Sequence, residues 1–124
     1  MRAEMKRILV IDDEAVSLAM TSDMLQEAGY EVETADSALA ANEHIYGSFS
    51  PDIILMDVVM PFLDGDRKIG FMRKREASRN IPVILMSSKP EAELETIACN
   101  SGADAFLTKP LEKSSLLAAI RRNT

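Results

Sequence analysis

Several residue types are too scarce in this chain to support the chemistries they usually signal. Cys99 is its only cysteine, so no internal disulfide can form, and a reducing, cytoplasmic compartment is expected. His44 is its only histidine. Beside Glu43 on a helical stretch, it fits a surface position better than a metal centre. The glycines, at 29, 47, 65, 70 and 102, are too scattered to form a phosphate-cradling loop. No apolar run nears the roughly eighteen residues needed to cross a bilayer, and the N-terminus lacks the apolar core of a signal peptide. Positive charge is also short. Fourteen Lys and Arg against 20 Asp and Glu leave a net charge of −6, which argues against direct binding to nucleic acid or to an anionic membrane.

What is present fits one compact domain spanning 1–124, with its core within 5–122. Of the 124 residues 47% are hydrophobic, and no Pro/Gly/Ser-rich tract interrupts them. Bulky, mostly β-branched runs predict strands at 6–11, 53–56, 82–86 and 105–108. A further strand at 31–35 alternates polar and apolar residues and is expected at a sheet edge. Between them, apolar residues at helical spacing predict helices over 15–28, 37–46, 65–76, 91–101 and 112–122. Their inward stripes are Leu18, Ala19, Met24 and Leu25; Ala38, Ala41 and Ile45; Ile69 and Met72; Leu94, Ile97 and Ala98; and Leu116, Leu117 and Ile120. Gly29, Gly47 and Gly102 close three of the helices, and Asp13 or a neighbour is expected to cap the first. Strand and helix alternate five times. The fold class is therefore α/β: a five-stranded, mostly parallel sheet flanked by five helices, with right-handed crossovers.

Four strand ends carry polar chemistry. Asp12 and Asp13 follow the first strand, Asp57 the third, Ser87 the fourth and Lys109 the fifth. In a parallel sheet all of these ends lie along one edge, where open α/β folds place their ligands. Clustered carboxylates repel by about 4 kcal/mol per pair at about 4 Å and an effective dielectric of about 20. A cation is needed. A hard divalent ion such as Mg²⁺ takes oxygen ligands of this kind, and Lys109 adds a fixed positive charge. With the acids partly neutralised, Asp57 can attack a phosphoryl group to form an aspartyl phosphate, Lys109 and the cation meet the charge that spreads over the phosphoryl oxygens, and Ser87 can donate to one of them.

Taken together, Asp12-Asp13, Asp57 with Met60-Pro61 and Asp64-Gly65, Ser87, Gly102-Ala103-Asp104, Phe106 and Thr108-Lys109-Pro110 give the chain a likeness that covers almost its whole length. It resembles the receiver domain of bacterial two-component response regulators. The resemblance implies a flavodoxin-like fold with strand order 2-1-3-4-5, an order for which a chemotaxis receiver is a standard example. It implies Asp57 as phosphoacceptor and Mg²⁺ or Mn²⁺ held by Asp13, Asp57 and the Val59 backbone carbonyl, with Asp12 acting through water. It also implies Lys109 paired with the phosphoryl group, a cis Lys109-Pro110 peptide, and Ser87 with Phe106 as a switch pair. Phosphorylation would draw Ser87 toward the new charge, open space for the Phe106 ring, and reshape the face made by the fourth helix, fifth strand and fifth helix. The implied donor is a sensor histidine kinase or phosphotransfer protein. The output domain or target is unknown, and homodimerisation on activation is a further implication.

The chain departs from the family pattern at Phe62, where glycine is usual, and at Ser88, where a small Ala or Gly is usual. By the same likeness Val59 and Lys89 occupy positions that govern water access to the phosphoryl group, Ser88 and Lys89 are expected to alter phosphoryl lifetime, and Phe106 lacks the hydroxyl of the commoner Tyr. Two other functions compete: an adaptor that works unphosphorylated, and a phosphatase with an Asp nucleophile. The latter generally needs a second acid two residues on, where Val59 stands. The switch reading makes the chain no enzyme beyond its own phosphoryl transfer and dephosphorylation. Because the chain ends at Thr124, directly after the last helix, either a free-standing receiver or one cut from a longer regulator is expected. Lys68, Arg73, Lys74 and Arg75 are expected to form a solvated helix face, and Cys99 to lie off the inward stripe.

Overall fold

Continuous apolar runs can be buried on both faces only in the middle of a layered sheet, and the chain uses them so. The computed structural model describes residues 5–60 and 63–124. In chain order the elements are β1 (Arg7–Ile11), α1 (Ala15–Glu27), β2 (Glu31–Ala35), α2 (Asn42–Ile45), β3 (Ile53–Asp57), α3 (Gly65–Arg73), β4 (Val83–Ser87), α4 (Glu91–Ser101), β5 (Ala105–Thr108) and α5 (Lys113–Asn123). The strands form one parallel sheet in the order β2-β1-β3-β4-β5, as the resemblance implied. β3 and β4 are buried at every residue, whereas β2 is largely exposed at the edge where its alternation placed it.

Side chains alternate between the two faces of each strand, which divides the core. Leu9, Ile11, Ile54, Met56, Val83 and Leu85 pack under α2, α3 and α4. Ile8, Val10, Ile53, Leu55, Ile84 and Met86 pack under α1 and α5. Gly102 ends α4 at φ +88° and Gly29 follows α1 at φ +96°, left-handed conformations that carry no Cβ penalty in glycine. Among the described residues no helix is long and apolar enough to cross a membrane.

Two helices are shorter than expected. The predicted helix over 37–46 is regular only at Asn42–Ile45. Ser37 Oγ accepts the Ala40 N–H, and Asn42 and His44 donate to carbonyls three residues back, so the segment starts in tight turns. Ala38, Ala41 and Ile45 are nevertheless all buried. α3 stops at Arg73, beyond which Lys74 and Arg75 donate to carbonyls three residues back and the buried Ser78 hydroxyl donates to the Met72 carbonyl at 2.8 Å. Ala19, expected inward, is exposed. Nor does Asp13 cap α1: the helix has no side-chain cap, and the Glu14 N–H goes to Asp12 instead.

The expected solvated face on α3 is wrong at two residues. Lys68 is 5% exposed, and its ammonium donates to Asn42 Oδ1 between α3 and α2. Arg73 reaches away from the helix and donates to the carbonyls of Ile81 (2.7 Å), Arg79 (3.0 Å) and Gly102 (3.3 Å) and to Asp104 Oδ2 (3.1 Å). Asp104 Oδ2 in turn accepts the first amide of β4 at 2.8 Å. Lys74 and Arg75 are exposed as expected, Arg75 lying over the Tyr46 ring at 4.0 Å.

Burial disfavours the Lys68 ammonium, with Arg75 adding repulsion, and its pKa falls below the ordinary 10.5. Asn42→Leu, which leaves that ammonium without its acceptor, should cost about 1–3 kcal/mol in urea unfolding. Adding Lys68→Met should recover the loss and exceed wild type. The pH dependence has a definite sign. Below 10.5 the unfolded chain holds the Lys68 proton more firmly than the folded one, so this residue makes stability rise with pH across that window. The double variant should lose that slope.

Candidate functional site

Register alone brings the strand ends together. Ile11 pairs with Met56, so Asp12 leaves β1 beside Asp57; Asp57 pairs with Met86, which puts Ser87 one step beyond; Ser87 pairs with Thr108, which delivers Lys109. The ladder continues past the strands through Val58 N–H to Met86 O (3.0 Å) and Lys109 N–H to Ser87 O (2.8 Å). A glycine sets the floor. A Cβ on Gly65 would lie 2.3 Å from the Asp57 carbonyl oxygen, so only glycine lets α3 begin against that strand end.

Lys109 Nζ donates to Asp12 Oδ2 at 2.7 Å and to Asp57 Oδ2 at 2.6 Å. Asp57 Oδ1 accepts the Val59 N–H at 3.0 Å. Asp12, Asp13 and Asp57 can each present one oxygen within 4.8 Å of the others. Asp12 is fully buried, Asp57 nearly so, and Asp13 is exposed. Burial pushes both Asp12 and Asp57 up. For Asp12, hydrogen bonds from Lys109, the Glu14 N–H and Ser17 overcome that push and hold its carboxyl below the usual value. Asp57, with bonds from Lys109 and Val59 only and the Asp12 charge against it, stays above. Burial alone would lower Lys109, but its bonds to the two carboxylates raise it.

These groups open on a cavity of about 750 Å³ whose polar wall includes Asp13, Asp57, Ser87 and Lys109 and whose other wall is Val16 and Met20 of α1. Ser87 is buried, and its Oγ accepts the Lys89 N–H at 3.0 Å, which leaves the hydroxyl proton free to donate. Phe106 pairs with Leu85, which places it on the same sheet face as Ser87, half-buried against the core under α4. Val59 and Ser88 line the cavity with exposed side chains. Lys89 lines it too, and its ammonium lies 3.5 Å from Glu93. The Lys109-Pro110 peptide is cis. Pro61 and Phe62 lie outside the described residues, and the expectation for Phe62 falls there. His44 is partly exposed with Glu43 at 3.9 Å, and Cys99 is exposed on α4.

Asp57 thus stands at the mouth of the cavity between the Lys109 ammonium and the other two carboxylates. The family model for the response regulator receiver domain matches residues 8–121. The chain belongs to this family. Protein PilH of Pseudomonas aeruginosa is 33% identical over 121 residues, covering 94% of this receiver and 95% of PilH. The chemotaxis protein CheY4 of Vibrio cholerae superimposes with a TM-score of 0.88 at 29% identity, covering 98% of this chain and 100% of that one. The receiver domain of the sensor histidine kinase PA1611 from Pseudomonas aeruginosa, described with a magnesium ion coordinated in its active-site cleft, gives 0.87 at 25% identity, with 97% and 98% covered. This receiver spans about half (48–50%) of the length of matched transcriptional regulators such as RpaA of Synechocystis and PhoB of Escherichia coli.

One polar neighbour of the site escaped sequence reasoning. Ser17, a turn into α1, donates to Asp12 Oδ2 at 2.8 Å. A small hydroxyl five residues after a strand-end acid is a weak signal, because serine is ordinary on a helix surface.

Proposed function

We propose that this receiver is a phosphorylation switch in which Asp57 accepts a phosphoryl group from the phosphohistidine of a sensor histidine kinase or phosphotransfer protein. The observation that carries the reading is the Lys109 ammonium held between Asp12 and Asp57 at 2.7 and 2.6 Å, within an acidic cluster. An Asp57 carboxylate oxygen attacks phosphorus as the P–N bond breaks. The electron pair leaves on the imidazole nitrogen of the donor, which takes up a proton. Lys109 meets the charge on the phosphoryl oxygens and the Ser87 hydroxyl donates to one of them. Asp12, Asp13, Asp57 and the Val59 carbonyl are the residues that would hold Mg²⁺ or Mn²⁺, and three carboxylates so close suit a hard dication. When bound, that ion supplies the positive charge that lets an anionic nucleophile approach an anionic phosphoryl group.

In this reading the Ser87 hydroxyl turns toward the phosphoryl group and Phe106 follows into the space released, reshaping the face of α4, β5 and α5. A target or output domain reads that face, and homodimerisation on activation would use it too. The chain is a single receiver over 1–124 that catalyses only its own phosphorylation and dephosphorylation. Its place is the cytoplasm, in keeping with a lone, exposed thiol. Direct contact with nucleic acid or membrane is no part of the reading, given the net charge of −6.

Intact mass after incubation with acetyl phosphate tests it. One retained phosphoryl group with Mg²⁺, and none after chelation, is the expected result. In parallel, Mg²⁺ alone should raise the thermal midpoint, because it binds only the folded cluster. Repeated turnover of phosphomonoesters without retained mass would favour the phosphatase, and no uptake under any metal condition would favour the adaptor.

A further inference from the structure

Asp12 is fully buried and accepts three hydrogen bonds, which is an unequal arrangement. Its Oδ1 takes the Glu14 N–H at 3.0 Å. Its Oδ2 takes both Ser17 Oγ, at 2.8 Å, and Lys109 Nζ, at 2.7 Å. The backbone donor is fixed by the start of α1, whereas Lys109 sits on a flexible stem and is shared with Asp57 at 2.6 Å. A group attached to Asp57 would compete with Asp12 for that ammonium. A buried carboxylate oxygen that loses its donor is far costlier than one that keeps a partner. Ser17, half-buried on α1, is the only other donor to Oδ2 among the described residues, and it also lines the cavity.

We propose that Ser17 is a positioning residue for phosphoryl transfer: its hydroxyl is the reserve donor that keeps Asp12 Oδ2 satisfied, and so frees Lys109 to leave Asp12 for the phosphoryl group on Asp57. The inference rests on the switch reading for its kinetic consequence, but the three hydrogen bonds to Asp12 from which it starts are present in the unphosphorylated fold. Without Ser17, the ammonium is the one described donor left to Asp12 Oδ2, and its departure is opposed. With Ser17, the ammonium is released while Asp12 keeps its orientation, fixed at Oδ1 by Glu14 and at Oδ2 by the hydroxyl.

Two measurements test it, one free of phosphorylation. In a stability cycle by urea unfolding without metal, Ser17→Ala should cost distinctly more in a Lys109→Met background than in wild type, because there it removes the last donor to Oδ2. Equal costs in the two backgrounds overturn the proposal. In single-turnover phosphorylation by acetyl phosphate at saturating Mg²⁺, Ser17→Ala should slow uptake by about tenfold. Ser17→Thr, which keeps the hydroxyl, should recover most of that rate. A Ser17→Ala rate equal to wild type, or a Ser17→Thr rate as slow as Ser17→Ala, overturns it. Absence of uptake in wild type would strike the switch reading instead, and the stability cycle would still decide the role of Ser17. If Lys109→Met does not fold, the alanine and threonine rates decide.

Discussion

Asp57→Asn is expected to abolish phosphoryl uptake completely, with no retained mass at any concentration of acetyl phosphate, while leaving a protein more stable than wild type in the absence of metal. The amide has no anionic oxygen to attack phosphorus, and no other carboxylate is a substitute. Asp12 has its oxygens taken by Glu14, Ser17 and Lys109, and Asp13 is exposed with no described bond to Lys109. The stability gain follows from electrostatics. Burial, with the Asp12 charge adding to it, holds the Asp57 pKa above the ordinary 3.8. Between 3.8 and that raised value the folded protein binds more protons at Asp57 than the unfolded chain does. Stability attributable to Asp57 therefore falls as pH rises through the window, and its full penalty remains above it. Asn carries no such penalty. The advantage of the variant should be absent at low pH, appear as pH rises past 3.8 and persist at neutrality. Thermal midpoints across a pH series, with chelator present, read it. Addition of Mg²⁺ should narrow the gap, because wild type alone keeps the full acidic cluster.

Gly65→Ala carries the second large effect, and this one falls on the whole fold. The new methyl would stand 2.3 Å from the Asp57 carbonyl oxygen and 3.1 Å from its carbon. Both are backbone atoms of a strand buried at all five residues, so neither can swing aside. The start of α3 must move instead, and with it the bond from Gly65 N–H to Val58 O at 2.8 Å. Overpacking in a core costs about 1–3 kcal/mol. With an unyielding neighbour the upper end applies, which for a domain of this size lowers the melting midpoint by roughly 10 °C. The Mg²⁺-induced shift in midpoint should shrink as well, because the displaced backbone carries Asp57. A midpoint within about 2 °C of wild type would show that α3 can retreat without cost. Gly70, where an added Cβ meets nothing within 4 Å, provides the control: Gly70→Ala should leave stability unchanged or raise it slightly.

The sheet and the four strand ends were legible because each rests on a local signal. Ile53 to Met56 and Val83 to Met86 are apolar without interruption, which few structures other than a doubly covered parallel strand accommodate. An acid or a lysine directly after such a run has its position fixed by the strand itself. The cis Lys109-Pro110 peptide and the strand order came from family likeness rather than from residue pattern. What escaped were contacts between polar groups distant in sequence. Lys68 looked solvated because its partner, Asn42, is 26 residues away on another helix. Arg73 looked like one more surface cation, yet it collects carbonyls from the approach to β4 and from the end of α4. Periodicity reports which face of a helix is apolar; it does not say which long cationic side chain will fold back under a loop. The shortening of the helix after Ser37 has a similar cause, a hydroxyl competing locally for a backbone amide.

The pairing of Ile11 with Met56, Asp57 with Met86 and Ser87 with Thr108 has a practical corollary. Side chains on a strand alternate sides, so slipping β5 by a single residue against β4 would carry the ammonium to the opposite side of the sheet and strand both acids. On the proposed switch reading, chemical competence reports on correct assembly at single-residue accuracy. The fraction of a preparation that can be loaded stoichiometrically would count its properly threaded molecules, a census that circular dichroism, blind to such a slip, cannot take.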